Sequence, residues 1–331
     1  MADVVVITGG SAGIGRAAAR LFAARGCAVG LIARGRERLD DAKAELEGLG
    51  VPVHAVSADV ADAEAVERAA AEIERALGPI TIWVNNAMAT VYSPIRQLDA
   101  AEIERVTAVT YLGSVNGTLS ALRRMGKHGT VVQVSSVLSY RAIPIQGAYC
   151  GAKFALRGFT ESLRSELIHG GSDVHLTMVH LPAVNTPQFD WARNRTGHRP
   201  KAPDPVYQPE MAARAIVYAA YHRRRDVWMG RGTLAAILAG RLAPSAVDRL
   251  LAKGGWDAQV GEPQGYKDGN LFEPAPGVQS ARGRFSEKAQ DTREIYTSRQ
   301  ADAVLAGVLL LGAIGIKALL KAPLAGARRL R

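Results

Sequence analysis

The chain has 331 residues, a formal net charge of +10, 48% hydrophobic and 22% charged residues. That composition excludes a wholly disordered chain, a collagen-like repeat and a polytopic membrane protein, and the length suits one large α/β domain with an extension, or two domains. Cys27 and Cys150 are too few for a disulfide framework and show no zinc-ligand spacing to histidine, so a reducing compartment, the cytoplasm, and no metal are expected. The N-terminal MADVVVITGG lacks a basic n-region and does not read as a secretory signal.

Residues 3–8 (DVVVIT) form a short β-branched run, and helical periodicity follows over 13–25. An apolar run at 27–33 precedes a charged helix at 36–49. Further runs at 51–57 and 80–84 flank an Ala/Glu-rich helix at 63–77. Runs at 129–135, 173–180 and 226–229 bring the strands to about seven. Strands that alternate with helices imply crossover units and a parallel sheet covered on both faces. Their near-continuous apolar character agrees with burial on both sides.

Between 182 and 209 six prolines replace the periodic pattern, which marks either disorder or a functional lid. Residues 254–285 are again Gly/Pro-rich but keep Trp256, Tyr266, Leu271 and Phe272, as an irregular ordered extension would. Residues 303–316 are 14 uncharged apolar or small residues, and the run reaches 18 at residue 320 only if Lys317 snorkels. Three readings stay open for this tail helix: a marginal membrane span, an interfacial anchor, and a helix docked on the protein or a partner subunit. The expected division is therefore a catalytic domain at 1–240, an extension at 241–300 and an apolar-basic tail at 301–331. Residues 281–331 carry ten Lys/Arg and four Asp/Glu, so +6 of the charge lies there. Such a tail suits an acidic membrane surface or simple solubility. Nucleic acid is not expected as a partner, because no basic helix interleaved with aromatics is present.

The first chemical motif is Thr8-Gly9-Gly10-Ser11-Ala12-Gly13-Ile14-Gly15, between a strand and a helix. Glycines there let the backbone approach a pyrophosphate, and the helix start offers free N–H groups. Arg34 follows the second strand, with Arg36 and Arg38 beyond and no carboxylate before Glu37. A basic residue in that place accepts a ribose 2′-phosphate, so NADP(H) is favoured over NAD. Tyr149 and Lys153, at i and i+4, share one face of the helix after the fifth strand, and Ser136 ends that strand.

Together these residues resemble the short-chain dehydrogenase/reductase family of the Ser–Tyr–Lys kind, over about residues 3–232. The matching elements are TGGSAGIG at 8–15, Asp59-Val60, Asn85-Asn86-Ala87, Ser136, YCGAK at 149–153 and Pro182 to Thr186. The resemblance implies a doubly wound Rossmann-type three-layer sandwich with seven parallel strands and a nicotinamide cofactor. It implies cofactor contacts from Gly9, Ser11, Ala12, Gly13, Ile14 and Gly15 of the loop and from Arg34. Asp59 and Val60 are implied at the adenine, Asn86 beside the nicotinamide-side ribose and Thr186 near the carboxamide, with Ala87, Tyr149, Lys153, Pro182 and Val184 as further cofactor contacts. A homodimer or homotetramer built on the long helices after the fourth and fifth strands is also implied.

In that chemistry Tyr149 is the general acid/base of a carbonyl reductase or alcohol dehydrogenase. Lys153, as an ammonium, pulls the phenol pKa down and holds ribose hydroxyls, while Ser136 orients the carbonyl. The sequence departs from the family in three places. Thr110 stands where the family has a catalytic Asn, with Asn116 almost two turns later and facing elsewhere; Met88 replaces a glycine after Asn85-Asn86-Ala87; Ala183 replaces one after Pro182. Leu138, Tyr140, Gln146, Phe189 and Trp191 are the candidate substrate residues, suited to a lipophilic carbonyl compound. Cys150 has no histidine partner and is read as packing. A non-catalytic NADP-binding protein that works through partners or a membrane is the alternative that Thr110 favours.

Overall fold

The structure is a computed structural model that describes residues 2–278, 280–292 and 294–300. The expected tail helix at 301–331, with its membrane or subunit contact, lies outside the described residues. Strands β1 (Val4–Thr8), β2 (Ala28–Ala33), β3 (Val53–Ser57), β4 (Ile82–Asn85), β5 (Thr130–Ser136), β6 (His175–Leu181) and β7 (Asp226–Met229) run parallel. Their order is β3-β2-β1-β4-β5-β6-β7. The Rossmann-type sheet expected from the sequence is thus present. A further strand, β8 (Ile295–Thr297), is added antiparallel to β7 at the edge.

Helices α1 (Gly13–Ala23), α2 (Arg36–Glu47) and α3 (Ala63–Leu77) serve the first half. Helices α4 (Ala100–Thr107) and α5 (Gly113–Met125) are joined through a π-helical turn, Ala108–Leu112. Helices α6 (Gly147–His169), α7 (Pro209–Tyr221), α8 (Arg231–Leu242) and α9 (Pro244–Gly254) follow. Local chemistry sets several starts. Asp62 caps α3 by accepting from the Ala65 amide at 3.0 Å, Asp99 and Glu102 form a capping box on α4, and Pro209 occupies the first turn of α7.

Phe22 of α1, Leu39 and Leu46 of α2, and Met211 and Ile216 of α7 bury one face of the sheet. Val66 and Ile73 of α3, Val106 of α4, Ala121 of α5 and Ala152 of α6 bury the other. Within this second layer Asn85 is fully satisfied. It accepts from Trp83 Nε1 at 2.8 Å and donates to Thr118 Oγ1 at 2.9 Å and Gln133 Oε1 at 3.1 Å. A closed polar network of this kind rigidifies the sheet directly below the crevice.

Strand order reverses between β1 and β4, which opens a crevice at the carboxyl ends of the strands. The proline-rich stretch expected to be disorder or a lid is folded through three short ladders. Ala183–Val184 pairs with Val206–Tyr207, Arg193–Asn194 with Val91–Tyr92, and His198–Pro200 with Val260–Pro263. Helix α9 buries no residue, and beyond it the chain returns to the crevice, where Asn270, Pro274 and Ala275 line its wall. Among the described residues no helix is long and apolar enough to cross a membrane.

Candidate active site

Apart from Gly15, Thr110 and Tyr140, all the expected site residues line a single cavity of about 310 Å³ at the strand ends. Gly15 stands just behind it. A Cβ on Gly15 would run into the Gly9 carbonyl oxygen and lie 2.5 Å from Asn86 Nδ2, so only glycine fits. Gly9 has φ +68°, and a Cβ there would lie 2.9 Å from Ala87 Cα. The loop therefore packs directly onto the end of β4. Asn86 fastens it, donating from Nδ2 to the Thr8 and Gly9 carbonyls at 3.1 and 3.2 Å. Helix α1 has no side-chain cap and no acidic residue in its first turn. Its uncapped N-terminus and glycine cradle fit the pyrophosphate of a dinucleotide.

Thr110 lies behind the cavity floor, in the π-turn. Its hydroxyl donates to the Ala89 carbonyl and accepts from the Ala89 amide, both at 2.9 Å. Its own carbonyl accepts from Ser114 Oγ at 3.2 Å. Asn116 faces elsewhere and donates to the Val60 carbonyl at 2.9 Å. Met88 lines the cavity beside this floor.

Ser136, Tyr149 and Lys153 converge on the opposite wall. Ser136 Oγ accepts from the Leu138 amide at 3.1 Å and donates to the Leu181 carbonyl at a long 3.3 Å. Tyr149, half-buried in the first turn of α6, has Lys153 Nζ 5.7 Å from its ring centroid. Burial raises the Tyr149 phenol well above its ordinary value, and the Ser136 hydroxyl draws it partly back. Burial lowers the Lys153 pKa to about 7, and Nζ donates to the Val134 carbonyl at 2.8 Å. Desolvation of the buried ammonium is the cause.

Arg34 donates to the carbonyls of Asn270 at 2.6 Å, Phe272 at 2.7 Å and Leu271 at 3.3 Å. Burial, and after it the Arg105 charge, lower its pKa. Asp59 accepts from the Ala61 amide at 3.0 Å and pairs with Arg105. Thr186 packs beside Gly13, and Val60, Ala87, Pro182 and Val184 complete this side.

Of the substrate candidates, Leu138 keeps its side chain on the cavity. Gln146 commits its amide to Gln259 Oε1 at 2.7 Å. Phe189 stacks edge-on with Phe285 at 5.3 Å and tilts against Tyr92 at 6.4 Å. Trp191 lies under the Arg38 guanidinium at 4.8 Å, which places it beside the nucleotide end. Tyr140 turns away to the buried His180, 3.3 Å from Nε2. Sequence reasoning missed Tyr92, a buried phenol on the cavity wall whose pKa is raised by burial and then by Tyr149. Its two-residue strand carries no motif. Cys150 is buried, which pushes its thiol pKa up.

The sequence matches the short chain dehydrogenase family over residues 3–196. It is 34% identical to the oxidoreductase YxnA of Bacillus subtilis over 255 residues, 76% of this chain and 72% of that protein. It is 29% identical to a fatty acyl-CoA reductase of Acinetobacter baylyi over 261 residues, 76% of this chain and 83% of that protein. An alcohol dehydrogenase from Thermococcus sibiricus, complexed with 5-hydroxy-NADP, superimposes with a TM-score of 0.60 at 27% identity, covering 69% of this chain and 96% of that one. The chain belongs to the short chain dehydrogenase family, a class of oxidoreductases.

Proposed function

We propose that the protein is an NADP(H)-dependent oxidoreductase that interconverts a lipophilic carbonyl compound and its alcohol. The observation that carries this reading is the convergence of Ser136, Tyr149 and Lys153 on the cavity that also holds the glycine loop and Arg34. The N-terminus of α1 and the loop would hold the pyrophosphate. Arg34 would hold the 2′-phosphate, and Asn86, Lys153 and Thr186 the nicotinamide half. The bound nicotinamide supplies or accepts the hydride.

The chain's own residues handle the oxygen. Ser136 shifts its hydroxyl hydrogen from the long bond to Leu181 onto the substrate oxygen. Tyr149 delivers its phenolic proton to that oxygen in reduction and takes it back in oxidation. Lys153 stands close enough to stabilise the phenolate electrostatically. Phe189 and Tyr92, with the Met88 side chain, present an apolar wall that excludes water from the exchange. This lining, and the acyl-CoA reductase among the relatives, support an aliphatic or aryl-alkyl substrate.

NADPH consumption with a panel of long-chain aldehydes and aryl ketones, repeated with NADH, tests the reading. Turnover with none of them, in a protein that binds NADPH, would favour the non-catalytic alternative. The same reading carries a homo-oligomer assembled on α4–α5 and α6. Exposed Ile103, Leu112 and Leu119 on the first pair and Phe154 and Ile168 on α6 support it. Light scattering of the purified chain tests that assembly.

A further inference from the structure

The nucleotide end of the cavity is closed by a segment with no counterpart among the expected site residues. Residues 270–277 cross it, and Asn270, Pro274 and Ala275 form part of its wall. The segment is held by guanidinium groups from three different places. Arg34, just after β2, donates to the carbonyls of residues 270, 271 and 272. Arg105 of α4 donates to the Leu271 carbonyl at 3.1 Å, and Arg38 of α2 donates to the carbonyls of Ala275 and Gly277. Leu271 is buried completely, whereas Phe272, Glu273, Pro274 and Pro276 are exposed.

One apolar anchor and a set of charged donors on neutral carbonyls make a fastening that opens locally at low cost. It is also a fastening that a phosphate displaces. A phosphate oxygen carries full charge where a carbonyl carries a partial one, and its bonds to guanidinium are correspondingly stronger. A little further on, the Ser280 carbonyl takes the Gly13 amide of the glycine loop at 3.3 Å. Main-chain oxygens of the extension therefore occupy donors at two positions where a dinucleotide would place phosphates.

We infer that residues 270–277 are the outer wall of the nucleotide site and its gate: they lift from Arg34, Arg38 and Arg105 to admit a 2′-phosphorylated dinucleotide and must lift again to release it. This rests on the NADP(H) reading above. Leu271 acts as the latch, because it is the one side chain of the segment sunk into the core. Truncating the latch loosens the closed form without altering any donor to the nucleotide.

Stopped-flow mixing of the full-length protein with NADPH, followed by NADPH fluorescence, tests the gate. The wild-type association rate should level off as NADPH rises, because opening becomes limiting. Leu271→Ala should raise that ceiling, and the dissociation rate, on the order of tenfold. A Pro274→Gly, Pro276→Gly double variant slackens the exposed part of the segment, leaves the core untouched and should act in the same direction. Rates that rise linearly with NADPH and coincide in all three proteins would overturn the gate while leaving the cofactor assignment standing. If none of the three binds NADPH, the cofactor assignment fails, and the gate fails with it.

Discussion

Thr110 and Ala89 are joined by a reciprocal pair of hydrogen bonds, hydroxyl to carbonyl and amide to hydroxyl, each 2.9 Å long. The pair ties the π-turn to the segment that leaves β4 under the cavity. A π-turn inside a longer helix commonly marks a functional position. Here it turns a side chain, rather than a carbonyl alone, toward the active-site floor.

Thr110→Val keeps the shape and removes both bonds, leaving a buried amide and carbonyl unpaired. The expected loss is about 1–3 kcal/mol of stability in urea unfolding, with a fall in kcat as the floor at Met88 and Thr90 shifts. Unchanged stability would mean that the floor is held from elsewhere.

Tyr149→Phe removes the proton donor and leaves the cavity wall in place. Turnover should fall by roughly 10²–10⁴-fold while NADPH binding, measured by titration calorimetry, stays within about twofold. Near-normal turnover would transfer the proton role to another group, Tyr92 being the nearby phenol.

Lys153 makes a prediction about pH. Its pKa falls from 10.5 in the unfolded chain to about 7 in the cofactor-free fold. Between those values the unfolded chain binds the extra proton, so stability rises with pH across that window and is lowest below it. Lys153→Met removes the cost of a buried ammonium. Its gain in Tm over wild type should be largest at pH 6 and shrink toward pH 10, in thermal melts without cofactor. A gain independent of pH would show that the ammonium is compensated in the fold.

Arg34→Ala should raise the KM for NADPH by roughly 10–100-fold and leave that for NADH nearly unchanged, since a charge-assisted contact to the 2′-phosphate is lost. Parallel increases for both cofactors would assign Arg34 to fastening the extension alone.

The sheet and the catalytic wall are legible in the sequence because both rest on side-chain chemistry at fixed spacing. Apolar strands such as Val4–Thr8 have to be buried, and Tyr149 and Lys153 share a helix face by geometry. The glycine loop is legible for the same reason, since Gly9 and Gly15 stand where a Cβ collides. What escaped reading is carried by main chain. The contacts that residues 270–277 make to Arg34, Arg38 and Arg105 run through carbonyl oxygens, which every residue possesses. The same holds for Ile295–Thr297, three residues that join the sheet by backbone pairing alone and show no alternation long enough to notice. The downward push on the Lys153 pKa was not legible either, because burial depth is a tertiary property, not a spacing.

Strand β8 lies downstream of the segment that closes the nucleotide site, so the two share one covalent fate. Removal of the chain beyond residue 255 would take both away: it would bare the backbone groups of β7 along Asp226–Met229 to any passing chain and leave Arg34 without its carbonyl partners. Loss of nucleotide retention and the onset of self-association should therefore be two symptoms of one lesion.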